Sequence, residues 1–205
     1  RTRELQARCD AIVLRRTSEV NRRFLPPKTE MVVFCRPAAA QVAAYRAALG
    51  APDFQQLFAS AHNLAERTLP MIMKVREICN HPCLAAEGGA GDGVPAAADS
   101  SKLECCLEVA RAVVAKGDAV VVVSNFKRVL DVVDAAARAA LGPGCRILRI
   151  DGDTPVERRQ QQVDALNCGH GDVFLLSAKA GGAGLNLVGA NHLVLFDSDW
   201  NPATD

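Results

Sequence analysis

From residue 100 onward, apolar runs of strand length alternate with segments of helical periodicity. The apolar runs occupy 119–123, 145–150, 172–177 and 192–197. A strand that is apolar at every position is buried on both faces, and strands that alternate with helices form parallel sheets. The sequence therefore predicts an α/β fold in which helices cover both faces of a parallel sheet.

Capping signals indicate where the helices between these strands begin. Ser101–Glu104 and Thr154–Glu157 have the pattern of a capping box, and a proline stands at the first helical position of the second. The first helix is predicted to end at Gly117 and the second near 167–169. Apolar residues at helical spacing predict a further helix over 129–141.

The residues before this alternating region are predicted to be mostly helical. Helical patterns run over 37–50 and 53–67, and Thr68 can cap a third helix that ends in the stretch Cys79–Cys83. The run 31–35 is rich in β-branched and aromatic residues, which predicts a short strand after a proline-stiffened turn.

Composition divides the chain into three parts. Residues 85–99 are small and rich in glycine, which predicts a flexible loop. We expect a helical subdomain over 1–84, which includes a helix up to about Leu14, and a sheet-containing lobe over 100–205.

The predicted strand at 172–177 leads directly into Ser177, Lys179 and a glycine cluster at 181–184. Glycine lets backbone amides turn toward an anion, and open α/β sheets bind ligands beyond the carboxyl ends of their strands. The segment is a candidate phosphate-contacting loop, for a nucleotide or for a nucleic-acid backbone. It is neither a P-loop nor a dinucleotide fingerprint, because its lysine precedes the glycines and the third fingerprint glycine is missing. The alternative is a turn that lets a strand and a helix pack closely.

Polar residues also follow the other predicted strands. They are Ser124, Asn125, Asp151, Gly152, Asp197 and Asp199. The ends of parallel strands lie on one edge of a sheet, so a single ligand-binding edge is expected.

Two groups of residues raise the question of a metal. Asp197 and Asp199 have the pattern of an acidic Mg²⁺-binding pair, although aspartate is also a common cap after a strand. Cys79, His81 and Cys83 resemble half of a zinc site but lack a second ligand pair, and Pro82 between them suits a plain helix stop. No metal is assigned to either group.

Composition and charge exclude some classes of protein. No apolar run reaches membrane-spanning length and no secretory signal opens the chain, which begins at Arg1 in the manner of a fragment. Eight cysteines without a framework spacing are expected to be reduced thiols in an intracellular protein. Residues 1–36 carry nine Lys/Arg against four Asp/Glu, which suggests a polyanion nearby or a solvated helix face.

Taken together, these motifs resemble the second RecA-like lobe of the Swi/Snf-type helicase-like ATPases. The matching stretches are Leu14–Thr17, Leu25–Lys28, Ile78–Pro82, Ser101–Leu103, Val123–Phe126, Asp151–Gly152, Ser177–Leu187 and Asp197–Pro202. They follow the family's order and cover nearly the whole chain. Ser124–Phe126 and Gly189–Asn191 most resemble the Rad fifty-four-like branch, which remodels duplex DNA in homologous recombination.

The resemblance implies a motor that binds ATP with Mg²⁺ between two lobes and moves along double-stranded DNA without separating its strands. The residues it implies for DNA contact are Ser124, Asn125, Asp151, Gly152, Ser177, Lys179 and Gly181. Those implied for coupling to the ATP cleft are Gly182, Gly184, Leu185 and Asn186. Arg15 and Arg16 would lie near the junction of the lobes. The Mg²⁺ ligands would belong to the first lobe.

The implied partners are double-stranded DNA, the first RecA-like lobe and a recombinase filament or a nucleosome, with a nuclear location and no membrane. The Walker lysine of the first lobe is absent, and the arginine-bearing sixth motif would follow Asp205, so this chain alone should not hydrolyse ATP. Two alternatives stay open: an α/β domain that holds a free nucleotide, and a non-catalytic lobe that docks other proteins. Binding to a phosphate backbone would weaken steeply with salt, which separates the motor from the first alternative.

Overall fold

The computed structural model describes residues 9, 12–14, 20, 24–52, 54–55, 64–85, 94–181 and 184–199. Residues Arg1–Phe34 form one compact unit and Cys35–Asp205 form another. Arg15, Arg16 and Gly182 lie outside the described residues, as does most of the helix predicted over 53–67. The loop predicted at 85–99 lies partly outside them and stays a prediction.

In the described part of residues 1–84, two long helices are α1, Ala39–Gly50, and α2, Leu64–Asn80. The helix start predicted at Thr68 is wrong, because α2 already runs from Leu64 and contains both Thr68 and Pro70. A cap residue followed by proline is a local signal for a helix start, and here the surrounding structure overrides it. Two short 3₁₀ turns follow at Pro82–Ala85 and Ala97–Asp99. No described helix is long and apolar enough to cross a membrane.

The strand predicted at 31–35 is also wrong. Residues 31–35 have no regular secondary structure, and the side chains of Met31, Val32 and Phe34 are exposed by 82%, 82% and 93%. A strand needs a neighbour with which to pair, and the described sheet does not include this segment. High β propensity alone therefore does not form a strand here.

The described sheet has four parallel strands in the order β2-β3-β1-β4. In chain order the elements are α3 (Ser101–Val114), β1 (Val120–Ser124), α4 (Lys127–Leu141), β2 (Ile147–Ile150), α5 (Val156–Asn167), β3 (Val173–Ser177), the one-turn α6 (Ala178–Gly181) and β4 (His192–Leu195). The predicted α/β fold with a parallel sheet is confirmed.

Helices cover both faces of this sheet. Val120 and Val122 of β1 belong to a buried cluster with residues of α3 and α4. Val121 and Val123 belong to a second cluster with Leu166 of α5. Alternate residues of β1 therefore pack against different helix layers, which explains why this strand is apolar throughout. The edge strand β4 differs, because most of its residues are exposed although its run is apolar.

Both predicted capping boxes are displaced. The N-cap of α3 is Ser100, one residue earlier than predicted, and its hydroxyl oxygen accepts a hydrogen bond from the amide of Leu103 at 3.3 Å. At the start of α5 the N-cap is Pro155, which supplies no side-chain hydrogen bond. Thr154 is used instead in the preceding turn, where its hydroxyl bonds Asp151.

Candidate functional site

The ends of the strands meet at one edge of the sheet, as the sequence predicts. Ser124 stands opposite Ser177 in the register of β1 and β3. Ile150 pairs with Leu176, so Asp151 follows beside Ser177. Val123 pairs with Leu195, so Asp197 lies just beyond the end of β1. Topology alone thus brings these polar residues together.

These strand-end residues differ in how far they reach solvent. Ser124 is fully buried, and Ser177, Asp151 and Asp197 are exposed by only 6–7%. Other residues of the edge lie further out; they are Asn125, which is half-buried, and Gly152 and Lys179, which are exposed. The outer group is the one that an external ligand can touch.

The carboxylate of Asp197 joins the ends of β1 and β4. Its Oδ1 accepts a hydrogen bond from the amide of Asn125 at 2.9 Å, and its Oδ2 accepts one from the hydroxyl of Ser124. The side-chain amide of Asn125 also donates to the carbonyl of Asp197 at 3.4 Å. Both carboxylate oxygens therefore hold the turn after β1.

Asp151 closes the turn between β2 and α5. Its carboxylate accepts hydrogen bonds from the Arg149 guanidinium at 2.8 Å, the Asp153 amide at 3.0 Å and the Thr154 hydroxyl at 3.2 Å. Burial raises the pKa of this carboxyl, but the hydrogen bonds from Asp153 and Arg149 outweigh burial and leave it below its usual value. Asp151 therefore holds the turn that presents Gly152.

We expect Asp151→Asn to change how stability depends on pH. The pKa of the Asp151 carboxyl is 3.8 in the unfolded chain and lower in the folded protein. The ionised carboxylate therefore stabilises the fold above pH 3.8, and this stabilisation is lost as pH falls through the folded pKa. The variant should be less stable by about 2 kcal/mol at pH 7, with a difference that shrinks toward pH 3. Urea unfolding at several pH values measures this. Parallel pH curves for the variant and the natural sequence would contradict it, and the exposed Asp164→Asn is the control.

Lys179 stands in the short helix that follows β3 and points to no described partner. It is exposed, and none of the ion pairs among the described residues includes it. Several other lysines and arginines near this edge are neutralised; Lys127, for instance, pairs with Asp153, and Arg149 pairs with Asp131 and Asp151. Lys179 is thus a cation that an external anion can reach.

The segment after the glycine cluster is tied to the end of α5. The side-chain amide of Asn167 donates to the carbonyl of Asn186 at 2.9 Å and its Oδ1 accepts from the amide of Gly189 at 2.8 Å. Gly184 adopts a φ of 69°, in the left-handed region that favours glycine. Leu185 packs against the buried cluster that includes Leu166 of α5. Asn167 was not predicted; its only sequence signal is its position at a helix end.

Residues from the helical region also reach the strand ends. The ammonium of Lys102 donates to Oδ1 of Asn80 at 2.6 Å and lies 5.0 Å from the centroid of the Phe196 ring. Burial lowers the pKa of Lys102, while the charge of Asp197 acts in the opposite direction. Asn80 and Lys102 lie in stretches that the resemblance matched and Phe196 directly precedes one, but the sequence analysis assigned none of the three a role.

Within the group Cys79, His81 and Cys83, which resembles half of a zinc site, the histidine makes local hydrogen bonds that hold the chain after α2. The imidazole of His81 is buried; its Nε2 is 3.1 Å from the carbonyl of Ala96, and its Nδ1 accepts from the amide of Cys83 at 3.2 Å. Both ring nitrogens are therefore engaged. Among the residues that the structure describes, no group of three His, Cys, Asp or Glu is placed to hold a metal.

A cleft of about 200 Å³ lies at the opposite, amino edge of the sheet. Arg146 lines it, but its guanidinium is paired with Asp172 at 2.6 Å and 3.2 Å. Since that cation is neutralised, the cleft offers less to a phosphate than the carboxyl edge does.

Comparison with known proteins identifies two matching families. Residues 101–205 match the family described as "Helicase conserved C-terminal domain", and residues 1–84 match the "SNF2-related domain". The chain is 35% identical over its whole length to the DNA repair and recombination protein RAD54B of Gallus gallus and to that of Homo sapiens. It is also 35% identical to RDH54 of Saccharomyces cerevisiae. The chain spans about a quarter of the length of these relatives.

Solved structures agree with the fold. The SWI2/SNF2 ATPase core domain of Sulfolobus solfataricus matches with a TM-score of 0.68 at 25% identity, covering 100% of this chain and 42% of that one. The same core in complex with double-stranded DNA gives 0.72 at 24% identity, covering 98% and 42%. These likenesses confirm the RecA-like α/β fold expected from the motifs.

Proposed function

Because the chain belongs to the SWI2/SNF2 helicase-like ATPases through its helicase C-terminal domain, we propose that it is the C-terminal motor lobe of an ATP-dependent translocase on double-stranded DNA. Two lobes share the work in such a motor, and this lobe would hold one DNA strand by its backbone. In the parent protein, hydrolysis would move the two lobes along the duplex.

The observation that carries this proposal is the exposed cation at the carboxyl edge of the sheet. Lys179 follows the strand end at Ser177, next to glycines whose amides are free of bulky side chains. Phosphate contacts of lysine and backbone amides supply most of the affinity in sequence-independent DNA binding. Asn125 and Gly152 reach the surface at the same edge. A DNA strand running along this edge would meet all three.

ATP and Mg²⁺ would bind where this lobe meets the first one. When bound, ATP would provide the parent protein with the free energy that phosphoryl transfer to water releases. Gly184 lies in open space and would let a nucleotide approach the backbone, while the tie between Asn167 and Asn186 would hold that backbone in place. The family resemblance implies that the Mg²⁺ ligands come from the first lobe, while Asp197 of this lobe holds the turn after β1. The 205-residue chain alone should therefore show no ATP turnover.

The relatives suggest the setting in which the motor works. RAD54B and RDH54 are named as DNA repair and recombination proteins. By this likeness we place the parent protein in the nucleus, acting in DNA repair and recombination, with a recombinase filament or a nucleosome as further partner.

ATP turnover by the full-length protein, with and without duplex DNA, tests the proposal. Duplex DNA should stimulate turnover strongly, and Lys179→Ala should reduce that stimulation about tenfold, because it removes one charged phosphate contact. Lys116→Ala is the matched control. Lys116 is an exposed lysine just before β1, at the opposite edge of the sheet, and its loss should leave the stimulation unchanged.

Other results would favour the alternatives. Turnover that is indifferent to DNA would point to a nucleotide-binding domain, and the absence of turnover would point to a docking lobe. Turnover by the isolated 205-residue chain would contradict the division of work between two lobes.

A further inference from the structure

The turn after β1 is held by an acid, although the proposed ligand is an anion. Asp197 is almost completely buried and binds both Ser124 and the amide of Asn125. A carboxylate so close to a phosphate would repel it, since two like charges interact unfavourably at short range. The position of Asp197 therefore requires a physical reason that outweighs this repulsion.

The hydrogen bonds of the turn after β1 supply that reason. The hydroxyl of Ser124 donates to Asp197 and its oxygen accepts from the amide of Phe126 at 3.1 Å, so that Ser124 is committed within the protein. Ser124 also has no exposed surface. Asn125 is the residue of this turn that reaches solvent, and Asp197 fixes its backbone. The acid thus acts on the residue that can contact a ligand.

A cation offsets the charge of the acid from inside the protein. Lys102 of α3 is held between Asn80 and the ring of Phe196, the residue immediately before Asp197. A partly buried ammonium near a buried carboxylate lowers the field that the carboxylate projects toward solvent. The Lys102 ammonium also fixes Phe196 through a cation–π contact.

A second cation, Arg76, contacts the residues that follow the ends of β1 and β4. Arg76 of α2 lies 5.2 Å from the ring centroid of Phe126 and donates to the carbonyl of Ser198. Phe126 and Ser198 are the residues that directly follow Asn125 and Asp197. Helices α2 and α3 therefore hold the turn on two sides.

We propose that Asp197 and Lys102 are positioning residues for DNA: Asp197 fixes the Ser124–Asn125 turn so that Asn125 faces a backbone phosphate, and Lys102 holds Asp197 and Phe196 in place. This inference rests on the proposed DNA-binding function and assigns different roles to the exposed and the buried residues of the site. Asn125, Gly152 and Lys179 contact the strand, while the buried residues behind them set the geometry. Ser124 belongs to the buried group.

The sign of the effect of Asp197→Asn separates this proposal from simple electrostatics. Removal of a negative charge near a phosphate would by itself strengthen DNA binding. Asparagine replaces one of the two accepting oxygens by an NH₂ donor, so the separate hydrogen bonds from Ser124 and Asn125 cannot both keep their present geometry, and we expect binding that is about tenfold weaker. The dependence of affinity on salt should stay unchanged, because the contact that is lost belongs to an uncharged side chain and neutralises no phosphate.

A double-mutant cycle tests whether Asp197 acts through Asn125. In full-length protein that carries Asn125→Ala, the further change Asp197→Asn should no longer weaken duplex binding, because the contact that Asp197 positions is already absent and only the loss of a negative charge remains. A merely structural role would leave the two effects additive. Lys102→Met should weaken binding in the same direction, and Lys102→Arg should restore part of it because arginine also packs on an aromatic ring.

The experiment measures the affinity of the full-length protein for a duplex oligonucleotide over a range of salt concentrations, with thermal unfolding of each variant. Asp164→Asn is the charge-matched control, since Asp164 is exposed in the last turns of α5, toward the amino edge of the sheet. Equal or tighter binding by Asp197→Asn, or additive effects in the cycle, would overturn the positioning role alone. If Asp197→Asn fails to fold, unchanged binding by Lys102→Met overturns it. A natural protein that does not bind duplex DNA would overturn the proposed function as well.

Discussion

Gly189→Ala is expected to lower the free energy of unfolding by about 3 kcal/mol, because overpacking against rigid backbone leaves no room to relax. A Cβ at this position would lie 2.7 Å from the Cα of Asn167 and would also collide with the carbonyl oxygen of Leu166. Both groups are backbone of α5, so neither can rotate away. The collision would push the 184–190 segment off the end of α5 and break the hydrogen bonds of Asn167.

Two other glycines are controls for this variant in urea unfolding followed by circular dichroism. At Gly171 a Cβ would meet side-chain atoms and no backbone: the Cγ of Leu148 at 2.9 Å and the Cδ1 of Leu166 at 3.6 Å, so Gly171→Ala should cost less. At Gly152 nothing lies within 4 Å, so Gly152→Ala should leave stability unchanged. Equal stability of Gly189→Ala and Gly152→Ala would show that the segment moves freely and that the expected collision is avoided.

Phe174→Ala is expected to lower the free energy of unfolding by about 4 kcal/mol. Among the described residues, Phe174 is the largest fully buried side chain, and it is the second residue of β3, in the layer that contains Leu166 and Val163 of α5. Truncation would leave a cavity that strands paired on both sides of β3 cannot close. A loss below about 1 kcal/mol would mean that α5 collapses onto the sheet.

Phe174→Leu and Val156→Ala are the controls for this prediction. Phe174→Leu keeps most of the volume and should cost clearly less than the truncation to alanine. Val156 is 74% exposed at the start of α5, so its change to alanine should have little effect on the same urea transition.

The parallel sheet could be predicted because the two inner strands, β1 and β3, are buried at every position and therefore appear as uninterrupted apolar runs. The edge strand β4 is also an apolar run, but Leu193 and Leu195 are exposed by 65% and 42%, so its run did not report burial. Helix starts were harder to place, since Ser100 and Ser101 are both competent caps and only the structure selects the first. Thr154 carries a valid capping signal, but the hydrogen bonds of Asp151 compete for its hydroxyl. The 31–35 run failed as a strand because pairing depends on a distant neighbour that sequence periodicity does not report.

The candidate site was predictable in outline for a similar reason. Parallel strands must end at one edge, so the meeting of Ser124, Asp151 and Ser177 follows from topology. The depth of each residue does not follow from it: Ser124 and Asn125 are adjacent, yet one is buried and the other reaches solvent. The contacts of Lys102 with Asn80 and Phe196 join residues that are far apart in the chain, and no local pattern encodes them.

The contrast between Gly152 and Gly189 also has an evolutionary consequence. Packing forbids any side chain at position 189 whatever the protein does, so every lineage that keeps the fold must keep that glycine. Packing permits a side chain at position 152, where only a closely approaching ligand would select against one. Under the proposed function, a descendant that lost DNA binding would therefore drift at 152 and stay fixed at 189, so that residue 152 would mark the proposed DNA contact.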